Sequence, residues 1–310
     1  MRRSALPGRA LSARRTPLAA SLLACQLVLL LAGCGGSSSA SRSPGAAAAP
    51  PGVAHTEGAG TDVPAAQGSP PATTGATPES SAVRSLIALG KPIYCAAPRG
   101  DEVALTFDDG PGPYTQLVMK KLRLHHANAT FFDVGRNIDL VAGATRRERA
   151  LGAVGDHTFT HPLLTALAPA EAESQIVRTQ SALERSTGGP VFLFRPPYGA
   201  HDATIDSIVR ARGMLQILWT VDSADSLGAS YAQIERNVIG GLRGGAIILM
   251  HENHGQTVRA LPNIFGALRD KHLRAVSVAQ LLTDATPSAA QVRGGGAACG
   301  VHGRAALGGG

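Results

Sequence analysis

Short apolar runs alternate with longer, helix-like stretches through residues 91–283, and few folds accommodate such an alternation. Short apolar runs bounded by turn residues predict buried strands. Apolar residues spaced three and four apart, such as Ile205, Ile208 and Val209, predict helices that pack on one side. The strand-like runs are residues 103–107, 129–134, 191–194, 215–221, 246–250 and 274–278, and the helix-like stretches are residues 115–126, 145–151, 170–186, 202–212, 231–242 and 258–271.

Alternating strands and helices predict an α/β fold with a parallel sheet covered by helices. About 195 residues suit a small, incomplete (β/α) barrel better than a complete eightfold one. A doubly wound open sheet is the alternative, although the chain has no glycine-rich phosphate-binding fingerprint. We therefore predict a single folded domain at residues 91–285.

The N-terminus carries the pattern of a bacterial export signal. Five arginines within residues 2–15 precede an apolar run at 18–31. This run is shorter than the roughly 20 residues that a membrane-spanning helix needs. It ends in Leu31-Ala-Gly-Cys34, which resembles the lipobox of bacterial lipoproteins, where cleavage precedes a cysteine that is then lipidated. We predict a signal peptide at 1–33 and a lipid anchor on Cys34, with ordinary secretion as the alternative.

Two segments flank the predicted domain. Residues 34–90 are rich in Ser, Ala, Gly and Pro and contain no aromatic residue. Such a segment cannot bury enough apolar surface to offset the entropy lost on ordering, so we predict a disordered tether. Residues 286–310 are rich in Gly and Ala and predict a flexible C-terminal tail, apart from Cys299.

The cysteines and the net charge limit the possible thiol chemistry and binding partners of the protein. Cys25 would leave with the signal and Cys34 would carry lipid, so Cys95 and Cys299 remain. In an exported chain these two either form a disulfide or stay as free thiols. The net charge is +7, but five of those charges are signal arginines, which leaves +2. No basic stripe is interleaved with aromatic residues, which argues against a nucleic-acid partner.

Adjacent carboxylates, Asp108 and Asp109, follow the first strand-like run and precede a Gly-Pro turn. Neighbouring carboxylates at a strand end repel each other and lose hydration, so they persist where a metal ion, an arginine or water compensates them. A solvated turn is the simpler interpretation of this motif taken alone. Further polar clusters downstream favour a functional site.

His157 and His161 lie four residues apart, so their rings would point the same way on a helical turn. That spacing suits one small metal ion, although surface helices also carry such pairs by chance. With a carboxylate from another strand end, the pair would make a two-His, one-Asp site. Such a site leaves coordination positions open, which is the catalytic rather than the structural arrangement of zinc.

Further polar residues follow the later strand-like runs. Arg195 opens an Arg-Pro-Pro-Tyr-Gly loop, and its permanent charge would keep one of the two aspartates ionised. Asp222 and Asp225 follow the next run, and His251 comes directly after the one beyond it. A lone histidine there is more often a core residue. The carboxylates, Arg195 and His251 each follow a strand-like run, however, and the carboxyl ends of parallel strands form the active face of such proteins.

The polar clusters together resemble the polysaccharide deacetylases of the NodB-homology group, carbohydrate esterase family four. The motifs T-F-D-D-G-P, H-T-x-T-H-P, R-P-P-Y-G and L-M-H occur in that family's order within residues 100–283. The resemblance implies a distorted, incomplete (β/α) barrel of the NodB-homology type and metal-dependent removal of acetyl groups from polysaccharides.

The resemblance also implies roles for the metal ligands and the base. Asp108 would be the general base, and Asp109, His157 and His161 would bind a divalent metal. Zn²⁺ is the first expectation, with Co²⁺ or another divalent ion as the alternative. The ion would polarise the acetyl carbonyl and acidify its bound water, whose proton Asp108 would take during attack.

The remaining roles follow from the same resemblance. Arg195 would hold the base ionised, and the backbone N–H of Tyr198 would stabilise the oxyanion together with the metal. His251 would protonate the leaving amine. Asp225 would keep His251 cationic by motif position, with Asp222 as its competitor.

Four residues are expected to contact the substrate. Leu249 and Trp219 would line the pocket for the acetyl methyl group, and Pro196 and Tyr198 would lie against the sugar. Ser226 occupies a position where family members often have tryptophan, which leaves one wall of the pocket in doubt.

The sequence thus predicts a hydrolase that removes N-acetyl groups from an amino-sugar polymer. Peptidoglycan is the first candidate, and chitin oligomers or an exopolysaccharide are alternatives. An O-acetyl esterase acting on xylan and a catalytically silent carbohydrate-binding protein of the same fold are the competing functions. We expect an exported, membrane-anchored monomer that faces the cell envelope or the extracellular side.

Overall fold

A computed structural model describes residues 81–301 of the chain. These residues form one curled, parallel sheet, the incomplete barrel that the sequence predicts. The spatial order is β5-β4-β3-β2-β1-β7-β6, and β8 pairs with the first residues of β1. The strands are β1 (Glu102–Gly110), β2 (Ala129–Asp133), β3 (Gly152–Asp156), β4 (Leu193–Phe194), β5 (Leu215–Gln216), β6 (Val221–Asp222), β7 (Ile247–His251) and β8 (Arg274–Val276).

Helices surround the sheet, and none of those within residues 81–301 is both long and apolar enough to cross a membrane. They are α1 (Ser81–Leu89), α2 (Thr115–Leu124), α3 (Ala144–Arg149), α4 (Pro169–Thr187), α5 (Ala203–Ala211), α6 (Tyr231–Gly241), α7 (Gly255–Asp270), α8 (Val278–Asp284), α9 (Ala289–Arg293) and α10 (Gly295–Ala298). Short 3₁₀ turns occupy Gly135–Asn137, Leu164–Ala166, Pro197–Gly199 and Asp225–Leu227.

Capping residues explain where several helices begin and end. Asp202 accepts a hydrogen bond from the Ile205 backbone N–H at the start of α5. Ser230 begins α6 with a reciprocal capping box. Pro169 opens α4, where its missing N–H costs nothing, and Gly188 ends that helix with a left-handed φ of 73°.

Strand β1 is central, and its side chains alternate between two buried clusters. Leu105 and Phe107 pack in the cluster formed with α2, α6 and α7. Ala104 packs on the other face, in the cluster that includes residues of α1 and α8. Because the period is two, Asp108 lies on the same face as Ala104 and Thr106. The side chain of Asp108 therefore lies on the face of the sheet opposite α2, α6 and α7.

The carboxyl ends of the parallel strands meet at one edge of the sheet. Asp108 of β1 is in register with His251 of β7 on one side and with Phe132 of β2 on the other. Asp133 of β2 is in register with Asp156 of β3. This register brings together polar residues that are far apart in the sequence.

The predicted start of the folded domain needs correction. The tether predicted at 34–90 ends earlier, because residues 81–89 form α1. Val83 and Leu86, three positions apart, are buried and supply the apolar contacts that hold α1 on the domain. The rest of the tether, the signal at 1–33, Cys34 and residues 302–310 lie outside the described residues.

The C-terminal tail also departs from the prediction of a flexible segment. Within its described part, α9 and α10 are helical, and Val292 is buried. Cys95 and Cys299 form a disulfide, with their Cα atoms 5.9 Å apart. Gln291 donates to the Ala96 carbonyl oxygen at 2.9 Å, a second tie between the tail and the start of the domain.

The sheet contains one strand that the apolar pattern missed. Strand β3 has two glycines, so it lacks the apolar run that predicts a strand. A Cβ atom on Gly152 would lie 2.1 Å from the Ala129 carbonyl oxygen, and one on Gly155 would lie 2.6 Å from the Phe132 ring. Close approach of β2 therefore requires both glycines.

The single run predicted at 215–221 is divided between β5 and β6.

Candidate active site

The turn after β1 directs its two aspartates differently. Asp108 is buried, whereas Asp109 has a left-handed φ of 71° and a side chain that is 24% exposed. Asn137 donates to the Asp109 backbone oxygen at 3.1 Å, and Asn253 donates to its Oδ2 at 3.3 Å. The turn thus leaves Asp109 Oδ1 directed at two histidines and partly open to solvent.

Asp109, His157 and His161 form a compact group whose ligand atoms all lie within 4.8 Å of one another. Asp109 Oδ1 is 3.7 Å from His157 Nε2 and 3.4 Å from His161 Nε2. His157 Nδ1 is 2.7 Å from the Arg195 carbonyl oxygen, so it carries the proton and donates. That hydrogen bond leaves the Nε2 lone pair free, as metal ligation requires. The group fits a small divalent ion.

The two histidines do not share a helical turn, which corrects the sequence prediction. They lie in a loop in which Thr158 and His161 both have positive φ, 66° and 61°. Asp156 Oδ1 accepts from the Thr158 N–H at 2.7 Å, and Thr158 Oγ1 accepts from the His161 N–H at 3.1 Å. These side-chain contacts fold the loop so that the rings converge, with centroids 4.9 Å apart.

Arg195 is fully buried and pairs with Asp108. Its Nη1 donates at 2.7 Å to both Asp108 Oδ1 and Thr106 Oγ1, and its Nε donates at 3.2 Å to the Ile217 carbonyl oxygen. The guanidinium carbon lies 4.1 Å above the Phe132 ring. This ion pair compensates the hydration that both groups lose on burial.

His251 pairs with Asp225 and not with its competitor, Asp222. His251 Nδ1 is 2.7 Å from Asp225 Oδ1, and the His251 backbone N–H donates to Asp225 Oδ2 at 2.7 Å. Thr257 Oγ1 also donates to Oδ2. Asp222 instead accepts from the Ala224 backbone N–H.

The Asp225 pair sets the protonation of His251. Burial alone would lower the pKa of His251, but the hydrogen bond and charge of Asp225 raise it to about 9. Burial alone would raise the pKa of Asp225. The pKa is instead lowered to about 2, mainly by the hydrogen bond to His251. Near neutral pH the pair is therefore an imidazolium beside a carboxylate, and it can deliver a proton.

Of the four expected substrate-contacting residues, Pro196 and Tyr198 belong to the Arg-Pro-Pro-Tyr-Gly loop, Trp219 packs against it, and Leu249 lies on β7. Tyr198 has a φ of 62° and an exposed ring whose edge contacts His161, with centroids 4.9 Å apart. A Cβ atom on Gly199 would lie 2.8 Å from the Trp219 ring, so this glycine permits close packing of Trp219 on the loop. Pro196 and Leu249 are buried.

Sequence reasoning missed three supporting residues. Thr106 binds Arg195, Asn253 binds Asp109, and Thr257 binds Asp225. Thr106 and Asn253 belong to segments that the motifs already mark, so their polar side chains were a signal. Thr257 lies on α7, and nothing in the sequence alone connects it with Asp225.

Left-handed backbone conformations are concentrated at this site. Seven non-glycine residues within 81–301 have positive φ, and five of them lie in the loops that form the site. Such conformations cost on the order of 1–3 kcal/mol each and persist where the surrounding structure enforces them. The five are Asp109, Thr158, His161, Tyr198 and Ala224.

Comparison with known proteins agrees with this geometry. Residues 96–217 match the sequence profile of the polysaccharide deacetylase family. A peptidoglycan-N-acetylglucosamine deacetylase from Bacillus cereus is 34% identical over 183 residues, covering 57% of this chain and 66% of that protein. A chitooligosaccharide deacetylase from Azorhizobium caulinodans is 39% identical over 153 residues, covering 48% of this chain and 73% of that protein. A bifunctional xylanase/xylan deacetylase from Cellvibrio japonicus is 35% identical over 173 residues, 55% of this chain but 26% of that protein.

Solved structures show the same relationship. A family 4 carbohydrate esterase from Streptomyces lividans, in complex with acetate, is 38% identical with a TM-score of 0.55, covering 57% of this chain and 92% of that one. BA3943 from Bacillus anthracis, described as a CE4 family pseudoenzyme, is 29% identical with a TM-score of 0.58, covering 62% of this chain and 68% of that one. The chain therefore belongs to the polysaccharide deacetylase family, carbohydrate esterase family 4.

Proposed function

We propose that this protein is a metal-dependent hydrolase that removes N-acetyl groups from an amino-sugar polymer, with peptidoglycan as the first substrate. The observation that carries the proposal is the arrangement of two opposed charge pairs. The Asp108–Arg195 pair lies beside the Asp109, His157 and His161 group. The His251–Asp225 pair adjoins it, because His251 is in register with Asp108 on the neighbouring strand. The seven-residue arrangement provides a base, an acid and a metal site.

Asp108 is the proposed base. Arg195 holds its Oδ1, while Oδ2 lies 3.8 Å from His157 Nε2 and faces the metal-binding group. A divalent ion held by Asp109 and the two histidines would polarise the acetyl carbonyl and acidify water. Oδ2 would accept the proton of the attacking water. The backbone N–H of Tyr198, a residue whose ring contacts the His161 ring, would stabilise the negative charge that develops on the carbonyl oxygen.

His251 is the proposed acid, and its charge favours an amide substrate. An amine leaves a tetrahedral centre readily only when it is protonated, so amide hydrolysis needs a proton donor. The pKa of about 9 keeps His251 protonated near neutral pH. The names of the Bacillus and Azorhizobium relatives, both N-acetyl-sugar deacetylases, support the same class of substrate.

Two competing functions keep some support. The Cellvibrio relative is named a xylan deacetylase, which favours an O-acetyl esterase. The likeness to a described pseudoenzyme favours a silent carbohydrate-binding protein. A silent protein is expected to lack a base, a ligand or an acid, whereas this chain has Asp108, Asp109, His157, His161, Arg195 and His251.

We also propose export and lipid anchoring through Cys34. This part rests on the signal-like residues 1–33 alone, which lie outside the described residues. The test is the Cys34→Ala variant expressed in a bacterium that processes lipoproteins. Anchoring predicts that the wild-type protein is found with membranes and incorporates labelled palmitate, and that the variant does neither. If the wild type and the variant are found with membranes to the same extent, the protein is secreted without a lipid anchor.

The activity is tested by measuring acetate released from three substrates: peptidoglycan, N-acetylglucosamine oligomers and acetylated xylan. The comparison variant is Asp108→Asn, and the matched control is Asp270→Asn, which changes an exposed carboxylate at the end of α7. The proposal predicts acetate from the amino sugars, lost in Asp108→Asn and kept in Asp270→Asn. Acetate from xylan alone would favour the esterase, and no acetate from any substrate would favour the silent binder.

A further inference from the structure

Three carboxylates lie beneath the active-site turn and take no part in the proposed reaction. Asp133 ends β2, Glu148 lies on α3, and Glu252 directly follows β7. All three side chains are fully buried, at 0% exposure. One carboxylate oxygen from each lies within 4.8 Å of the corresponding oxygens of the other two. Acidic groups this close and this deeply buried require compensation.

The hydrogen bonds of these carboxylates leave four oxygens unused. Thr145 Oγ1 donates to Asp133 Oδ2 at 2.9 Å, and Thr115 Oγ1 donates to Glu252 Oε2 at 2.5 Å. Asp133 Oδ1, Glu252 Oε1 and both oxygens of Glu148 are buried without a hydrogen-bond partner among the described residues. Asp133 and Glu148 are close enough for one carboxyl group, when protonated, to donate to the other. The oxygens that lack another donor can therefore take either a proton or a cation.

Charged neighbours do not compensate the cluster. Among the ion pairs between residues 81 and 301, none includes Asp133, Glu148 or Glu252. Arg147 exerts a weak attraction on Glu148, but its Nη2 donates to the Ala142 carbonyl oxygen instead. Burial raises the pKa of Glu148 and of Glu252 well above the usual range, and neighbouring carboxylates add to the rise. Either protons or a cation must therefore be shared among the three groups.

We propose that Asp133, Glu148 and Glu252 form a second cation site, separate from the Asp109 and histidine group, that takes a hard divalent ion such as Ca²⁺. The donors are all oxygens, the atoms that hard cations prefer. In Asp133 and Glu252 one oxygen is held by a threonine hydroxyl and the other is free. Ligating carboxylates are commonly oriented by hydrogen bonds of this kind.

The proposed ion would brace the turn that carries the base and one zinc ligand. The Glu252 backbone N–H donates to the Asp108 carbonyl oxygen at 3.2 Å. A Cβ atom on Gly110 would lie 1.4 Å from Glu252 Oε1, so the carboxylate sits directly against the turn. Thr115 Oγ1 accepts from the Gly112 N–H at 2.7 Å. An ion shared by β2, α3 and the end of β7 would fix the turn from below.

The two sites differ in donor chemistry, which allows them to be separated by experiment. The group of one aspartate and two histidines contains nitrogen donors and suits Zn²⁺, whereas the three-carboxylate site suits Ca²⁺. Glu148→Gln neutralises the carboxylate for which neither oxygen accepts a hydrogen bond from a hydroxyl or a backbone N–H. His161→Ala removes one ligand of the other site. Glu173→Gln, an exposed glutamate on α4, is the matched control.

The experiment measures Ca²⁺ and Zn²⁺ binding to the chelator-stripped, full-length protein by calorimetry, with bound metal counted by mass spectrometry. The proposal predicts one Ca²⁺ per chain, bound at least tenfold more weakly by Glu148→Gln but normally by His161→Ala and Glu173→Gln. Zn²⁺ should bind normally to Glu148→Gln and more weakly to His161→Ala. Added Ca²⁺ should raise the unfolding temperature of every protein except Glu148→Gln.

Two results would overturn the proposal. One is the absence of Ca²⁺, Mg²⁺ and Mn²⁺ binding at millimolar concentration outside the zinc site. The other is a Glu148→Gln protein that binds Ca²⁺ as the wild type does. In either case the carboxylates share protons instead. If Glu148→Gln does not fold, Asp133→Asn serves as the second variant, with the same expected loss of Ca²⁺ binding.

Discussion

The charge of Asp225 is expected to set the upper pH limit of the proposed reaction. Asp225→Asn keeps the shape of the side chain but removes the negative charge beside His251. In the wild type that partner raises the pKa of His251 from 6.5 to about 9. Burial, which lowers the pKa, remains in the variant. The pKa of His251 should therefore fall to about 6.5 or below, a change worth about 3 kcal/mol.

The size of the effect depends on pH in a calculable way. A general acid must be protonated, so kcat/KM falls as pH rises through its pKa. At pH 8 the protonated fraction of His251 would drop from about 90% to about 3%, a loss of roughly 30-fold. At pH 6 both proteins are mainly protonated and should differ by less than about twofold through this effect. The variant should thus be most impaired in alkaline solution.

The assay is kcat/KM for acetate release from an N-acetylglucosamine oligomer between pH 5 and pH 10. The matched control is Asp222→Asn, which neutralises a carboxylate that has no hydrogen bond to His251. The alkaline limb should move down by about two units or more in Asp225→Asn and by much less in Asp222→Asn. An unchanged limb in Asp225→Asn, or an equal shift in both variants, would refute the assignment of Asp225 as the partner of the acid.

Three further outcomes follow from the packing of the site and the tail. Arg195→Lys keeps the charge but cannot reach all the acceptors that the guanidinium binds, so denaturant unfolding should show a loss of about 3 kcal/mol and acetate release should fall at least tenfold. Cys95→Ser with Cys299→Ser should lower stability by about 2–5 kcal/mol in the same assay, with little change in kcat. Gly199→Ala should reduce kcat/KM without loss of metal, since its new methyl group would press on Trp219 and its φ of 68° disfavours alanine; unchanged kinetics would contradict the packing argument.

Local patterns in the sequence predicted the barrel because strand-like and helix-like runs each leave a periodic signal. They failed at β3, where Gly152 and Gly155 are required by the close approach of β2 and erase the apolar run. They also failed at α1, whose apolar residues Val83, Leu86 and Ile87 directly follow a segment of low complexity. In both cases the element forms because it packs against a part of the chain that is distant in sequence.

The sequence predicted most residues of the candidate site but not the way in which they are arranged. Strand ends marked Asp108, Arg195 and His251, because several polar clusters fell at the carboxyl ends of strands predicted to be parallel. The loop that carries His157 and His161 depends on left-handed residues and side-chain hydrogen bonds, which no helical or strand period encodes. The buried carboxylates were missed because their partners come from separate elements.

Metal dependence is the central claim, and it is tested most directly by titrating the stripped protein with Zn²⁺ while acetate release from N-acetylglucosamine oligomers is followed. The account predicts no measurable rate without metal and a rate that rises with Zn²⁺ bound to the site of Asp109, His157 and His161. Asp109→Ala should lose both the binding and the rate. A stripped wild-type protein that releases acetate at the full rate, or an Asp109→Ala protein that does so with Zn²⁺, would contradict it.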